Sequence, residues 1–120
     1  MARTDMEKSF GQRLQELRRA AGISQRDLAA EVGVDFSYIS KLENDRLPPP
    51  AADTIVKICK VLNVSPDELL ALTGKMTSDA KEMLGTSPAA QQFVRQAQAM
   101  KLTNREWQSL TQNMKRLRSK

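Results

Sequence analysis

Residues 24–44 read SQRDLAAEVGVDFSYISKLEN and hold the most informative side chains of the 120-residue chain. Ser37 and Lys41 lie four residues apart, with Phe36 and Ser40 beside them. On a helix, that spacing puts a hydroxyl, an ammonium and an aromatic ring on one exposed face. Ile39 and Leu42 occupy the opposite face and pin the helix to a core. These groups donate, accept or cover; none is a strong nucleophile. A helix of this size fits the DNA major groove, whose base edges carry a distinct donor and acceptor code.

Bond-making chemistry finds little support. The chain has no histidine. That removes Ser-His-Asp and Cys-His triads, histidine-zinc catalysis and the commonest general base. The single cysteine, Cys59, permits no intrachain disulfide and no cysteine-cluster metal site. It falls on an apolar helix face and reads as a core thiol. Acidic residues stand singly, and no glycine loop is suited to cradling phosphate. The expectation is a non-enzymatic protein with no cofactor and no metal. No apolar run approaches the roughly eighteen residues of a membrane span, and MARTDMEKSF lacks an apolar leader. A cytoplasmic protein with no membrane partner is expected.

The elements that must position the reading face are short helices. Ala, Leu, Gln, Arg, Lys, Glu and Met dominate, and aromatics are only 4%. That composition favours an all-α fold. Phe10, Leu14, Leu17 and Ala21 form one stripe, giving a helix from about Ser9 to Ala21 that Gly22 ends. Ser24 is an N-cap, with Asp27 three residues on as a short capping box. Leu28, Ala29 and Val32 face inward, and Gly33 stops the second helix. Gly33 and Val34 supply the sharp turn into the third, and Ala29 is small enough for the two to approach. Asp35 caps the third helix, which ends near Asn44. Pro48, Pro49 and Pro50 forbid helix in the following loop. A fourth helix spans about Ala51 to Leu62. The fifth opens at Ser65-Pro66-Asp67-Glu68, with Glu68 reaching back, and Gly74 closes the unit.

Residues 75–87 read as a linker holding one or two helical turns between Asp79 and Leu84. Ser87-Pro88 opens another helix to about Met100, with Phe93, Val94, Ala97 and Met100 on one face. Thr103-Asn104-Arg105-Glu106 is a capping box opening a last helix, with Trp107, Leu110, Met114 and Leu117 in a narrow stripe. The net charge of +5 is uneven. Residues 1–74 hold 10 basic and 11 acidic side chains; residues 75–120 hold 9 and 3. The case for nucleic acid therefore rests on local pattern, not on total charge.

From about Phe10 to Leu72, roughly half the chain, the sequence resembles the Cro/cI-type (XRE) helix-turn-helix regulators. The matching residues are Leu14, Leu17, Ser24-Gln25, Leu28-Ala29, Gly33-Val34, Ser37, Ile39-Ser40 and Leu42-Glu43-Asn44. The resemblance implies a five-helix lambda-repressor-like DNA-binding domain over 1–74, and the apolar faces of the later helices suggest a helical dimerisation tail over 75–120. It implies that Gln25 touches a phosphate and braces the recognition helix, with Arg26 beside it on DNA. Ser37 and Lys41 then lie over base edges, with Ser40 nearby. Phe36 has two readings, a thymine methyl or packing on the neighbouring loop. Tyr38 and Arg46 meet backbone phosphates. Arg18 and Glu43 form an internal ion pair linking the first and third helices. One departure stands out: Asp45 replaces the glycine that commonly follows Glu-Asn. Asp tolerates a left-handed backbone less well than Gly, and its carboxylate near phosphates opposes DNA slightly.

One helix makes few base contacts, each worth roughly 1–3 kcal/mol of discrimination. Useful specificity needs two copies on a two-fold-symmetric site of double-stranded DNA. The expected homodimer interface comprises Phe93, Val94, Ala97, Met100, Trp107, Leu110, Met114 and Leu117. The function expected is a dimeric repressor. The alternative is an antitoxin or protease-controlled repressor whose tail binds a protein, either a toxin or a metalloprotease of the ImmA/IrrE type. The basic run Lys115 to Lys120 either follows phosphates or is a solvated helix end.

Overall fold

The computed structural model of the chain describes residues 8–119. Residues 1–7 lie outside the described residues, and with them most of the MARTDMEKSF start and the first edge of the expected domain. Lys120, the last cation of the basic run, also lies outside them. The described residues form α1 (Phe10–Ala20), α2 (Gln25–Val32), α3 (Phe36–Glu43), α4 (Ala52–Leu62) and α5 (Asp67–Thr73). They continue with α6 (Ser78–Gly85), α7 (Pro88–Met100), α8 (Asn104–Met114) and a 3-10 turn at Lys115–Leu117. The chain falls into two compact units, one ending at Ser78 and the other beginning at Asp79.

The first unit closes around Leu14, Leu28, Ile39, Leu42, Ile55, Ile58, Cys59 and Leu69, all fully buried. Each helix contributes one apolar stripe, and α3 packs on both α1 and α2. Arg13 of α1 reaches Glu68 of α5 at 2.7 Å, joining the first and last helices of the unit. After α5 the chain stays on this unit. Lys75 Nζ donates to the carbonyls of Pro49 (3.0 Å) and Pro50 (2.9 Å), and Ser78 Oγ donates to Asp53 (2.6 Å).

Local start and stop signals act largely as read. Ser24 Oγ accepts from the Asp27 N–H at 3.0 Å, and Ser87 Oγ from Ala90 at 3.2 Å. Gly33 takes φ 87° as the α2 cap, a conformation cheap only without a Cβ. Thr103 and Glu106 make both bonds of a capping box. A further capping box, unread in the sequence, joins Ser9 to Gln12.

Three expectations need correction. Asp35 sits at the α3 N-cap but makes no capping bond. Asp27 completes no reciprocal box, since only the Ser24 half is formed. Glu68 does not reach back to its own helix start; it is held by Arg13, a stronger charge-assisted partner. The turn or two expected between Asp79 and Leu84 is present, and as α6 it runs one residue further at each end.

In the second unit the rings of Phe93 and Trp107 meet across the α7–α8 turn, with centroids 6.4 Å apart and planes at 58°. Of the stripe expected to face inward, only Ala97 is buried. Val94 and Leu110 are half-buried, while Phe93, Met100, Trp107, Met114 and Leu117 are exposed. Leu117 lies in the 3-10 turn rather than on α8. Most of the apolar stripes of α7 and α8 therefore stay open.

Candidate nucleic-acid interface

The α2–α3 pair presents α3 on a rigid support. Gly33 and Val34 both donate their N–H groups to the Ala29 carbonyl, closing the end of α2. Ile39 and Leu42 fix α3 from beneath. Ser37 and Lys41 emerge exposed on its outer face, with Ser40 half-buried at its edge. Phe36, at the first turn, is 43% exposed. The Arg26 guanidinium carbon lies 5.0 Å from the centre of the Phe36 ring, within cation–π range. Phe36 therefore packs on Arg26 of α2, not on a loop, and still shows ring surface.

Glu43 is the hub behind this face. Arg18 Nε donates to its Oε2 at 2.5 Å, and Arg18 Nη2 to its Oε1 at 3.0 Å. The remaining Arg18 nitrogen, Nη1, donates to the Ile23 carbonyl at 2.8 Å. Gln25 Nε2 donates to Glu43 Oε1 at 2.9 Å, so α1, α2 and α3 meet on one carboxylate. Burial works to raise the Glu43 pKa, but hydrogen bonds from Arg18, Gln25 and Gln15 and the Arg18 charge hold it below the usual value. Both members of the pair are nearly inaccessible, which places Arg18 in the scaffold rather than on a ligand.

Gln25 makes the expected bracing bond. Its amide group has a second hydrogen, and its backbone N–H opens α2, where helix N–H groups lack intrahelical partners. Around this end, Gln15, Arg18, Arg19, Ser24, Gln25, Arg26 and Phe36 line a polar hollow. Arg19 is a cation of this hollow that sequence reading passed over; its place three residues before Gly22, in the last turn of α1, was the available signal. Tyr38 is half-buried against the core. Arg46 is exposed just beyond α3, its N–H held by the Lys41 carbonyl at 2.9 Å.

Asp45 does something the sequence did not announce. It takes the left-handed backbone of the glycine it replaces, φ 56°. Its Oδ2 accepts the Ser9 hydroxyl at 2.6 Å and its Oδ1 accepts the Gly11 N–H at 3.0 Å. The carboxylate thus caps the start of α1, where negative charge is favoured.

Among the described residues no group of His, Cys, Asp and Glu is arranged to hold a metal ion. No described helix is long and apolar enough to cross a membrane. Cys59 is fully buried, and burial pushes its thiol pKa up.

The helix-turn-helix family model matches residues 14–69. The HTH-type transcriptional regulator y4dJ of Sinorhizobium fredii (strain NBRC 101917 / NGR234) is 35% identical over 69 residues, 58% of this chain and 88% of that protein. The chain belongs to the Cro/cI-type (XRE) helix-turn-helix family. That family is one of helix-turn-helix transcriptional regulators. The matched residues run from within α1 to within α5. The HTH-type regulator RghRB of Bacillus subtilis (strain 168) is 37% identical over 82 residues, 68% of this chain and 59% of that protein. The chain thus spans about three fifths of that relative's length. The crystal structure of SinR, a master regulator for biofilm formation, in complex with DNA is 36% identical, covering 51% of this chain and 97% of that one, with a TM-score of 0.48.

Proposed function

We propose that this helix-turn-helix protein is a cytoplasmic homodimeric repressor. It reads a two-fold-symmetric operator with α3, using Ser37 and Lys41 over base edges and Ser40 beside them. Gln25, Tyr38 and Arg46 lie along the phosphates and fix the register, with Arg26 beside Gln25 on DNA. The observation that carries this reading is the exposed Ser37–Lys41 face on a helix locked from behind by Glu43. A rigid reading helix fixes the backbone positions of these residues before DNA arrives, so binding has only their side chains to order.

The homodimer is supported by the second unit. Phe93, Met100, Trp107, Met114 and Leu117 remain exposed there, and covering such a face against a second copy removes it from water. The domain assignment proposed is a reading head over 1–74 and a pairing tail over 75–120.

The test is selection from genomic fragments at near-physiological salt, with sedimentation of the full chain run in parallel. A palindromic site enriched by the native dimer and lost in a Ser37→Ala/Lys41→Ala variant supports the proposal. Placing that site over a reporter promoter then distinguishes repression from activation. A full chain that sediments as a monomer and yet binds tightly would refute the dimer. Such a result would favour the other use of the tail, capture of a toxin or metalloprotease.

A further inference from the structure

We propose that Arg26 and Phe36 form one reading unit for a guanine next to a thymine, so that the operator half-site carries a G·C pair flanked by a T·A pair under the start of α3. This rests on the DNA-reading function above and names the sequence that function selects.

The argument starts from the geometry of the pair. Arg26 is exposed on the first turn of α2, and Phe36 opens α3. The guanidinium carbon sits 5.0 Å from the ring centre. Among the described residues no carboxylate or carbonyl holds the Arg26 guanidinium, in contrast to Arg18 and its buried Glu43. A long cationic side chain at an exposed site ordinarily loses much rotamer freedom on binding. Here the ring lies within cation–π range of the guanidinium and favours that placement before any ligand arrives, while its N–H groups stay available. Those donors form a flat fork.

A flat fork of donors has one strong match among base edges. Guanine offers O6 and N7 as adjacent acceptors in the major groove, and arginine binds both at once. Adenine places a donor where guanine has O6, so it loses one of the two bonds. A phosphate would accept the same fork. The Phe36 ring, however, ties Arg26 to α3, the element that enters the groove, rather than leaving it to swing along the backbone.

Phe36 selects the neighbour. Its uncovered ring surface is apolar, and the one apolar group on a base edge in the major groove is the thymine methyl. Adjacent base pairs are about 3.4 Å apart along the duplex. A separation of 5.0 Å between guanidinium and ring centre suits neighbouring pairs better than two edges of one pair. Cytosine in place of thymine removes the methyl and leaves the ring facing a polar amine. Ser37 and Lys41, further along α3, read other positions.

The experiment uses the full chain and the site it enriches. Within the selected half-site, guanine is replaced by 7-deazaguanine, which lacks the N7 acceptor, and the adjoining thymine by deoxyuridine, which lacks only the methyl. Binding is measured for the native chain, Arg26→Ala and Phe36→Leu. The native chain loses about tenfold with 7-deazaguanine and about threefold with deoxyuridine. Arg26→Ala becomes indifferent to the first change. Phe36→Leu becomes less sensitive to the second and, having released Arg26, to the first as well. That coupling between a ring variant and a guanine atom is not produced by a ring that merely packs.

A selected site with no G-T neighbour overturns this proposal and leaves the DNA-reading function standing. So does an Arg26→Ala chain that still loses tenfold with 7-deazaguanine. A chain that enriches no sequence at all overturns both readings.

Discussion

Asp45 Oδ1 accepts the Gly11 N–H at 3.0 Å, and a Cβ added to Gly11 would lie 2.6 Å from that same oxygen. The same Cβ would meet the carbonyl oxygens of Leu42 at 2.4 Å and Glu43 at 2.7 Å. The first turn of α1 therefore runs against the last turn of α3, at a distance only glycine permits. Backbone oxygens do not swing aside as a flexible side chain would. Gly11→Ala is expected to destabilise the unit by about 1–3 kcal/mol, lowering its melting temperature by roughly 5 °C or more. An unchanged melting curve would mean that α1 and α3 can part without cost. In the same contact, Asp45→Ala loses both hydrogen bonds and keeps a left-handed residue, so it is expected to cost more than Asp45→Gly.

Glu43 makes the stability of the first unit acid-sensitive. Its pKa is lowered in the folded state, so the charged form is favoured by folding. The stabilisation is present above the ordinary carboxylate value and is lost as pH falls through the lowered one. Native protein is expected to lose stability below about pH 4.5, with part of that slope absent in Glu43→Gln. At neutral pH the same substitution leaves the Arg18 charge buried and short of its partner, at an expected cost of about 3–5 kcal/mol. Denaturant titrations at several pH values check both statements. Equal acid slopes in the two proteins would contradict the first.

Arg46 and the α3 face should separate affinity from specificity. Arg46→Ala is expected to weaken binding to all sequences alike and to reduce the salt slope by about 1. Ser37→Ala and Lys41→Ala should instead narrow the gap between operator and random DNA. Since Ser37, Lys41 and Arg46 are exposed, stability should stay within about 0.5 kcal/mol in each. Salt titrations on matched specific and random duplexes discriminate the two patterns. A specificity loss from Arg46→Ala would move that residue from phosphate to base.

Cys59 is expected to be inert. The thiolate is the reactive form, and burial raises its pKa. Iodoacetamide should label native protein only at the rate of global or local opening, and label it rapidly in denaturant. Fast labelling of the folded chain would show that α4 opens readily.

Much of the interface was legible because its signals are local. Ser24, Gly33, Ser87 and Thr103 act within a few residues of themselves, through caps and a turn that any chain with that spacing can make. The outer face of α3 followed from helical period alone, once Ile39 and Leu42 were assigned to the core. Other features were illegible for one reason: their partners are far away in sequence. Glu68 could satisfy its own helix start or Arg13, 55 residues earlier, and nothing near Glu68 tells which. Gly11 carried a faint signal, a poor helix former in a first turn with no local purpose.

The amino-acid order alone determined the family, most of the helix boundaries and the outward face of α3, because these depend on residue type and short-range period. Folding decided which groups remain available to DNA. Arg18, Arg19 and Arg26 are equally cationic on paper. Only the packed helices bury Arg18 on Glu43, leave Arg19 at the rim of the hollow and lay Arg26 over Phe36. The physical reason is competition. A charged side chain goes to the partner that best offsets its loss of water, and that partner exists only once distant segments have been brought together.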